Sequence, residues 1–137
     1  MKQLKTIGAS EYIDFPKLGI KGVPARIDTS ARSSSIHAAD INTLKKDGRT
    51  YLVFKLDRFN NIQVEADDFS VSSVKSSNGQ TEQRFVVKLT VNIAGSDHKT
   101  DFTLTDRSKM TFPVLIGRRL LKGRYIVDVS KKLETDH

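Results

Sequence analysis

Asp28 is the residue around which chemistry can be built. It ends an apolar-flanked run, Ala25-Arg26-Ile27-Asp28, and three small residues follow, Thr29, Ser30 and Ala31, that let the chain turn sharply. A carboxylate delivered at a strand end, within reach of a bound water, can take a proton as a general base. The same string is equally well read as an aspartate closing an Asx-turn, whose side chain bonds the backbone two residues on. Far along the chain stands its one apparent companion, Leu115-Ile116-Gly117-Arg118.

Other chemistries have a poorer footing. The histidines, His37, His98 and His137, are too far apart for paired ligands on one helix face. His37 with carboxylates from elsewhere is a weak candidate for zinc, and a hydrogen-bonded strand histidine accounts for it as well. Ser33-Ser34-Ser35 lies close to His37, but no G-x-S-x-G elbow is present. Cysteine is absent, which removes disulfides, thiolate metal sites and a thiol nucleophile. Asn78-Gly79 reads as a hairpin tip and resembles no phosphate-binding loop.

The elements that must position Asp28 are short strands. Val23 to Asp28 reads as a strand, extended from the start because the residue before Pro24 avoids the helical region. Upstream, Tyr12 to Phe15 is stopped by Pro16, which reduces it to an edge strand or arm within residues 1–20. Ser33 to Asn42 reads as one strand carrying His37. Lys45-Lys46-Asp47-Gly48 is a hairpin turn leading into Thr50 to Leu56. Ile62 to Ala66 and Asp68 to Lys75 are the next strands, and Ser76-Ser77-Asn78-Gly79-Gln80 turns again. The clearest pattern is Arg84 to Ile93, where Phe85, Val87, Leu89, Val91 and Ile93 alternate with polar residues, giving one buried and one wet face. Lys99 to Thr105 returns with Phe102 and Leu104 inward. Phe112 to Ile116 is apolar almost throughout, as in a strand buried on both faces. Gly117 to Leu121 makes about one turn of helix, Tyr125 to Val129 a last strand, and 131–137 a polar tail. Many short strands with turn signals every 8–12 residues indicate one all-β domain, 1–137, a barrel or sandwich.

Composition narrows the partners. The formal net charge is +7, with Arg118, Arg119, Lys122 and Arg124 inside seven residues. Such a surface attracts phosphates, anionic lipids or acidic peptides, although a solvated charged face explains the charge equally. Few aromatics, no basic amphipathic helix and no known motif argue against nucleic acid. No run approaches the 18 apolar residues of a membrane span. Met1-Lys2-Gln3 opens without an apolar leader. The expectation is a soluble cytoplasmic protein.

The combination of Asp28-Thr29-Ser30-Ala31 with the distant Leu115-Ile116-Gly117-Arg118 resembles the retropepsin-like aspartic peptidases. Their subunits carry a D-T/S-G-A turn after an early strand, a hairpin flap, and an apolar pair followed by Gly-Arg and a short helix. The likeness sharpens to the RimK-associated retropepsin-like proteins, also labelled ATP-dependent zinc proteases. It runs through Glu11-Tyr12 with Pro16 to Gly19, through Ala25 to Ala38, through Val74 to Gly79 with Glu82 and Arg84, through Thr105-Asp106-Arg107 with Met110, and through Phe112 to Arg119 and Gly123 to Asp128. One departure is Ser30, where the family usually has glycine.

The resemblance implies a closed β-barrel with one short C-terminal helix, and a homodimer in which Asp28 of each subunit shares the chemistry. Thr29, Ser30, Ala31, Ile116, Gly117 and Arg118 would support the turn. Ser76, Ser77, Asn78 and Gly79 would form a flap over substrate. It implies an acidic substrate, glutamate-rich tails of a ribosomal protein, and a functional link to a RimK-type glutamate ligase. No cofactor is expected, and zinc follows only from the family's older label. A non-catalytic peptide-binding module and a metal-dependent hydrolase are the alternatives.

Overall fold

Alternating hydrophobicity sets most of the architecture. The computed structural model describes residues 3–75 and 78–134. Its strands are β1 (Lys5–Gly8), β2 (Ser10–Phe15), β3 (Ile20–Ile27), β4 (Ser34–His37), β5 (Ala39–Lys46), β6 (Arg49–Leu56), β7 (Ile62–Ala66), β8 (Phe69–Lys75), β9 (Thr81–Ile93), β10 (Ser96–Thr105), β11 (Val114–Ile116) and β12 (Tyr125–Asp128). One short helix, α1 (Arg118–Leu121), and a 3-10 turn at Pro16–Leu18 complete the set. The result is one small, mostly β domain, and among the described residues no helix is long and apolar enough to cross a membrane.

The main sheet runs β10-β4-β11-β3-β2-β9-β8, and β9 also pairs with β10. The hydrogen-bonded ladder therefore closes into a ring, with β8 attached outside it. Inside the ring Val87, Leu89, Val91 and Ile93 of β9 face Phe102 and Leu104 of β10, Val114 and Ile116 of β11, and Val23, Ala25 and Ile27 of β3, all buried. The intervening residues of β9 are half-buried or exposed from Lys88 onward, which is the alternation expected. Each large apolar side chain removed from water in this way contributes about 1.5–3 kcal/mol.

A second sheet, β5-β6-β7, packs against the ring. Leu52, Phe54 and Leu56 of β6 are fully buried at every second position. Phe59, in the turn after β6, stands edge-on to Phe15 of β2 at 6.4 Å between ring centroids, and Phe15 meets Phe102 in the same way at 5.7 Å. These aromatic contacts join the two sheets. The hairpin at Asp47-Gly48 takes left-handed φ values of 53° and 77°, as a two-residue turn between twisted strands requires.

Several local expectations need correction. Within residues 3–20, β2 is not an edge strand, whereas β1 belongs to a two-stranded pair. β2 pairs along β3 and, at Asp14, with β9, while β1 pairs in parallel with β12. β2 does stop at Phe15, directly before Pro16, which opens the 3-10 turn where no N–H is needed. Ser33 to Asn42 is two strands, broken at Ala38, so β4 belongs to the ring and β5 to the second sheet. His98 lies within β10, and its Nε2 is 2.6 Å from the Tyr125 hydroxyl. The start of the tail is also held: Lys131 accepts from Ala9 N–H at 2.6 Å, and Leu133 N–H donates to Ser10 Oγ at 2.8 Å. Residues 135–137, with His137, lie outside the described residues.

Candidate active site

The position of Asp28 follows from two ladders. β3 runs parallel to β11, with Ala25 opposite Val114, Arg26 opposite Leu115 and Ile27 opposite Ile116. The pairing continues past the strand, since Asp28 N–H donates to Ile116 O at 2.9 Å. The chain then turns, and Arg118 N–H donates to Ala31 O at 2.8 Å and Arg119 N–H to Arg32 O at 3.1 Å. The two segments cross closely enough that only glycine fits at 117. A Cβ there would lie 2.6 Å from the carbonyl carbon and oxygen of Ser33 and 2.9 Å from Ala31 O. Gly117 N–H is satisfied by the buried Ser34 hydroxyl at 3.1 Å.

Arg118 clamps the turn with its side chain. Its guanidinium donates to Ser30 O at 2.8 Å and to Thr29 O at 3.3 Å. Asp28, Thr29, Ser30 and Ala31 are thus brought together with Ile116, Gly117 and Arg118. The flap stretch lies on a separate element, the tip between β8 and β9. There Gly79 has a φ of 85° and Gln80 N–H donates to Asn78 Oδ1 at 3.1 Å. Ser76 and Ser77 fall outside the described residues.

Ser30 fits where glycine is usual, because its φ is not left-handed. Its N–H donates to Asp28 Oδ1 at 2.9 Å, and its hydroxyl donates to the same oxygen at 2.5 Å. The Ser30 hydroxyl is the main influence holding the Asp28 carboxyl below the ordinary carboxylate range. Partial burial opposes it, and the N–H groups of Ser30 and Ala31 and the charge of Arg26 reinforce it. Asp28 is half-buried, with its ionised form favoured and one oxygen already solvated by protein.

Arg26 and Arg107 lie within the electrostatic reach of this carboxylate, and Arg58 stands beside Arg107. Arg26 precedes Asp28 by two residues and lies over the Phe112 ring, 5.1 Å from its centroid. Arg107 Nε donates to Phe112 O at 2.9 Å. Arg58 donates to the carbonyls of Arg107 and Met110, both at 2.9 Å. Burial lowers the pKa of Arg107, Arg26 and Arg58 lower it further, and the Asp28 charge offsets them. This cationic cluster was not picked out from sequence. Strand alternation puts Arg26 and Asp28 on one face and signals that member alone. Arg58 and Arg107 arrive from loops, where no periodicity marks them.

His37 is buried behind the cluster. Its Nδ1 accepts from Arg107 N–H at 2.8 Å, so in the neutral ring Nε2 carries the proton. Nε2 lies 2.8 Å from Asp57 Oδ1, but not in hydrogen-bond geometry. Asp106 is 3.8 Å from the nitrogen that Arg107 already occupies. A zinc ion needs three or four ligands. Among the described residues no three histidine or acidic groups come together to hold a metal, and His37 with Asp57 alone does not fit one.

Comparison with known proteins gives consistent matches over nearly the whole chain. Residues 6–136 match the family model described as RimB-like, retropepsin-like aspartic endopeptidase RimB. A Shewanella pealeana protein named probable alpha-L-glutamate ligase is 34% identical over 130 residues, covering 91% of this chain and 28% of that protein. A Desulfotalea psychrophila protein of the same name is 33% identical over 129 residues, 90% of this chain and 28% of its own length. The chain therefore spans less than a third of the curated relatives it matches. A solved Legionella pneumophila structure, of a protein with unknown function, aligns over 98% of this chain and 100% of its own with a TM-score of 0.78 and 25% identity.

Proposed function

Because the chain belongs to the RimB-like family of retropepsin-like aspartic endopeptidases, we propose that it is an aspartic peptidase working as a homodimer on acidic peptides. The observation that carries this reading is the Asp28 turn, clamped by Ile116, Gly117 and Arg118 and presented half-buried at the end of β3. On this reading the closed ring of strands is the barrel of one protomer, and the β8–β9 tip is its flap.

One Asp28 is not enough for the chemistry. Hydrolysis needs a base to take a proton from water and an acid to protonate the carbonyl oxygen. Two carboxylates at close quarters share one proton and supply both. In the dimer, water attacks the peptide carbonyl carbon and gives its proton to the ionised Asp28. The partner's Asp28 protonates the carbonyl oxygen. Collapse of the tetrahedral intermediate breaks the C–N bond, with a proton delivered to the departing nitrogen. Ser30 keeps one oxygen of Asp28 ionised and oriented, and Thr29 braces the two turns.

A second copy has a surface to meet. Beside Thr29 lies a mainly apolar hollow of about 380 Å³, lined by Leu121, Tyr125 and Val127 with the stems of Arg118 and Lys122. Ile126 and Val129, nearby in sequence, are 52% and 76% exposed. Burying this apolar surface against a copy of itself would place the two turns together.

Acidic substrate is supported by the net charge of +7 and by Arg26 and Arg107 near Asp28, with Arg58 next to Arg107. The name carried by the curated relatives suggests a setting in which glutamates are added by ligation. The substrate we favour is a glutamate-rich tail on a ribosomal protein, the product of a RimK-type ligase, acted on in the cytoplasm. The test is Asp28→Asn. Cleavage of a glutamate-rich peptide should fall at least about a hundredfold, with the thermal unfolding midpoint kept, and wild-type specific activity should rise with protein concentration as dimers form. Undiminished cleavage by the variant would remove Asp28 from the mechanism.

A further inference from the structure

Four residues beyond Asp28 the chain borders a second, polar hollow of about 310 Å³. Arg32 and Ser33 line one side, and Arg119 of α1 lines another. The floor is the outer face of the β8-β9-β10 sheet, where Ser70 lies opposite Val86 and Val86 opposite Thr103. Ser72 is next on β8, opposite Arg84. This is the wet face that alternation along β9 leaves outside the core.

The hollow has donors in excess. Four hydroxyls and two guanidiniums line it, and neither Arg32 nor Arg119 has a side-chain hydrogen bond or ion pair among the described residues. Its one acid, Asp101, is held by Lys88 Nζ at 3.3 Å. Arg84, on the same face, has a buried Nε with no partner, although its Nη2 lies 3.5 Å from Glu82. Unpaired guanidiniums beside hydroxyls select an anion, and the planar fork suits a carboxylate.

The distance to Asp28 indicates which carboxylate. Four residues of chain span at most about 14 Å, and an extended peptide advances about 3.3 Å per residue. A peptide whose cleaved bond lies at Asp28 can therefore reach this hollow with a side chain no more than about four residues away. We infer that the hollow is a subsite for an acidic side chain of the substrate, with Arg32 and Arg119 as its anion-binding pair. The placement along the peptide rests on the peptidase reading above, whereas the anion chemistry does not.

Binding and cleavage separate the two. In the Asp28→Asn protein, fluorescence anisotropy would follow labelled hexaglutamate and hexaglutamine, with Arg119→Gln and Arg32→Gln added singly. Lys46→Gln, exposed at the far hairpin, controls for net charge. Loss of a charge-assisted contact should weaken hexaglutamate binding about tenfold or more, leave hexaglutamine unchanged, and exceed the effect of Lys46→Gln. In the otherwise wild-type enzyme the same substitutions should raise KM for the acidic peptide and spare kcat. Equal weakening by Arg119→Gln and Lys46→Gln would overturn the subsite, because the effect would then be the field of the whole protein. Arginine-dependent binding in a wild-type protein that cleaves nothing would sustain the subsite and remove the peptidase. Cleavage with KM unmoved by both arginine variants would do the reverse.

Discussion

Gly117→Ala should damage the protein at a distance from any ligand. The backbone at 117 is not left-handed, with a φ of −101°, so the glycine is required by space. A Cβ would stand 2.6 Å from Ser33 C and O, where ordinary carbon contacts are about 3.5–4.0 Å. Both partners are backbone, and no rotamer change relieves the overlap. The segments must separate by about 1 Å. That shift stretches Arg118 N–H to Ala31 O, now 2.8 Å, and Arg119 N–H to Arg32 O, now 3.1 Å, beyond hydrogen-bond range. Overpacking costs about 1–3 kcal/mol, and each weakened bond about 1 kcal/mol. The sum is about 3–5 kcal/mol, a large part of the roughly 5–15 kcal/mol that holds a domain folded. Thermal unfolding followed by circular dichroism should show a midpoint lower by roughly 10 °C. Amide exchange at Arg118 and Asp28 should accelerate more than at Val91 in the core. A midpoint within about 2 °C of wild type, with exchange unchanged, would refute the claim that close approach dictates this glycine.

Two further substitutions probe the site. Ser30→Ala removes the main group holding the Asp28 carboxyl low, so its titration, followed by carboxyl carbon resonances, should move up toward the ordinary range; an unmoved titration would count against the Ser30 bond. Because the folded pKa is depressed, the stabilisation from this bond is present above the unfolded value and lost as pH falls through the folded one. The stability gap between wild type and Ser30→Ala should accordingly be open at neutral pH and close in strong acid. His37→Phe leaves Arg107 N–H without its acceptor and should cost about 1–3 kcal/mol in urea unfolding, and an unchanged midpoint would contradict that role.

The parts of this molecule legible in the sequence are those with local signatures. Alternation marked Val87 to Ile93 and Asp47-Gly48 marked its hairpin, whereas the meeting of Asp28 with Gly117 and Arg118 followed from a family resemblance and not from any local pattern. What escaped depends on partners distant in the chain. β1 was not recognised because its pairing with β12 is parallel, and parallel pairing needs no turn to announce it. The break at Ala38 was hidden because β4 and β5 are both extended, and only the sheets they join tell them apart. Arg58 and Arg107 reach Phe112 and the carbonyls around it from loops, whose residues carry no period.

The clamp on the Asp28 turn joins Arg118 to Ser30 across 88 residues of sequence. Contacts of such high order form late, because the intervening loop must be closed before they reward the chain. On a ribosome adding about 5–20 residues per second, Asp28 would wait on the order of 5–20 s for Ile116, Gly117 and Arg118 to be made. During that interval the turn lacks both its backbone acceptor and its guanidinium clamp. A nascent chain thus carries its carboxylate without the scaffold that orients it until Arg118 has been made and has folded back onto the turn. The protein's timing is built into its topology.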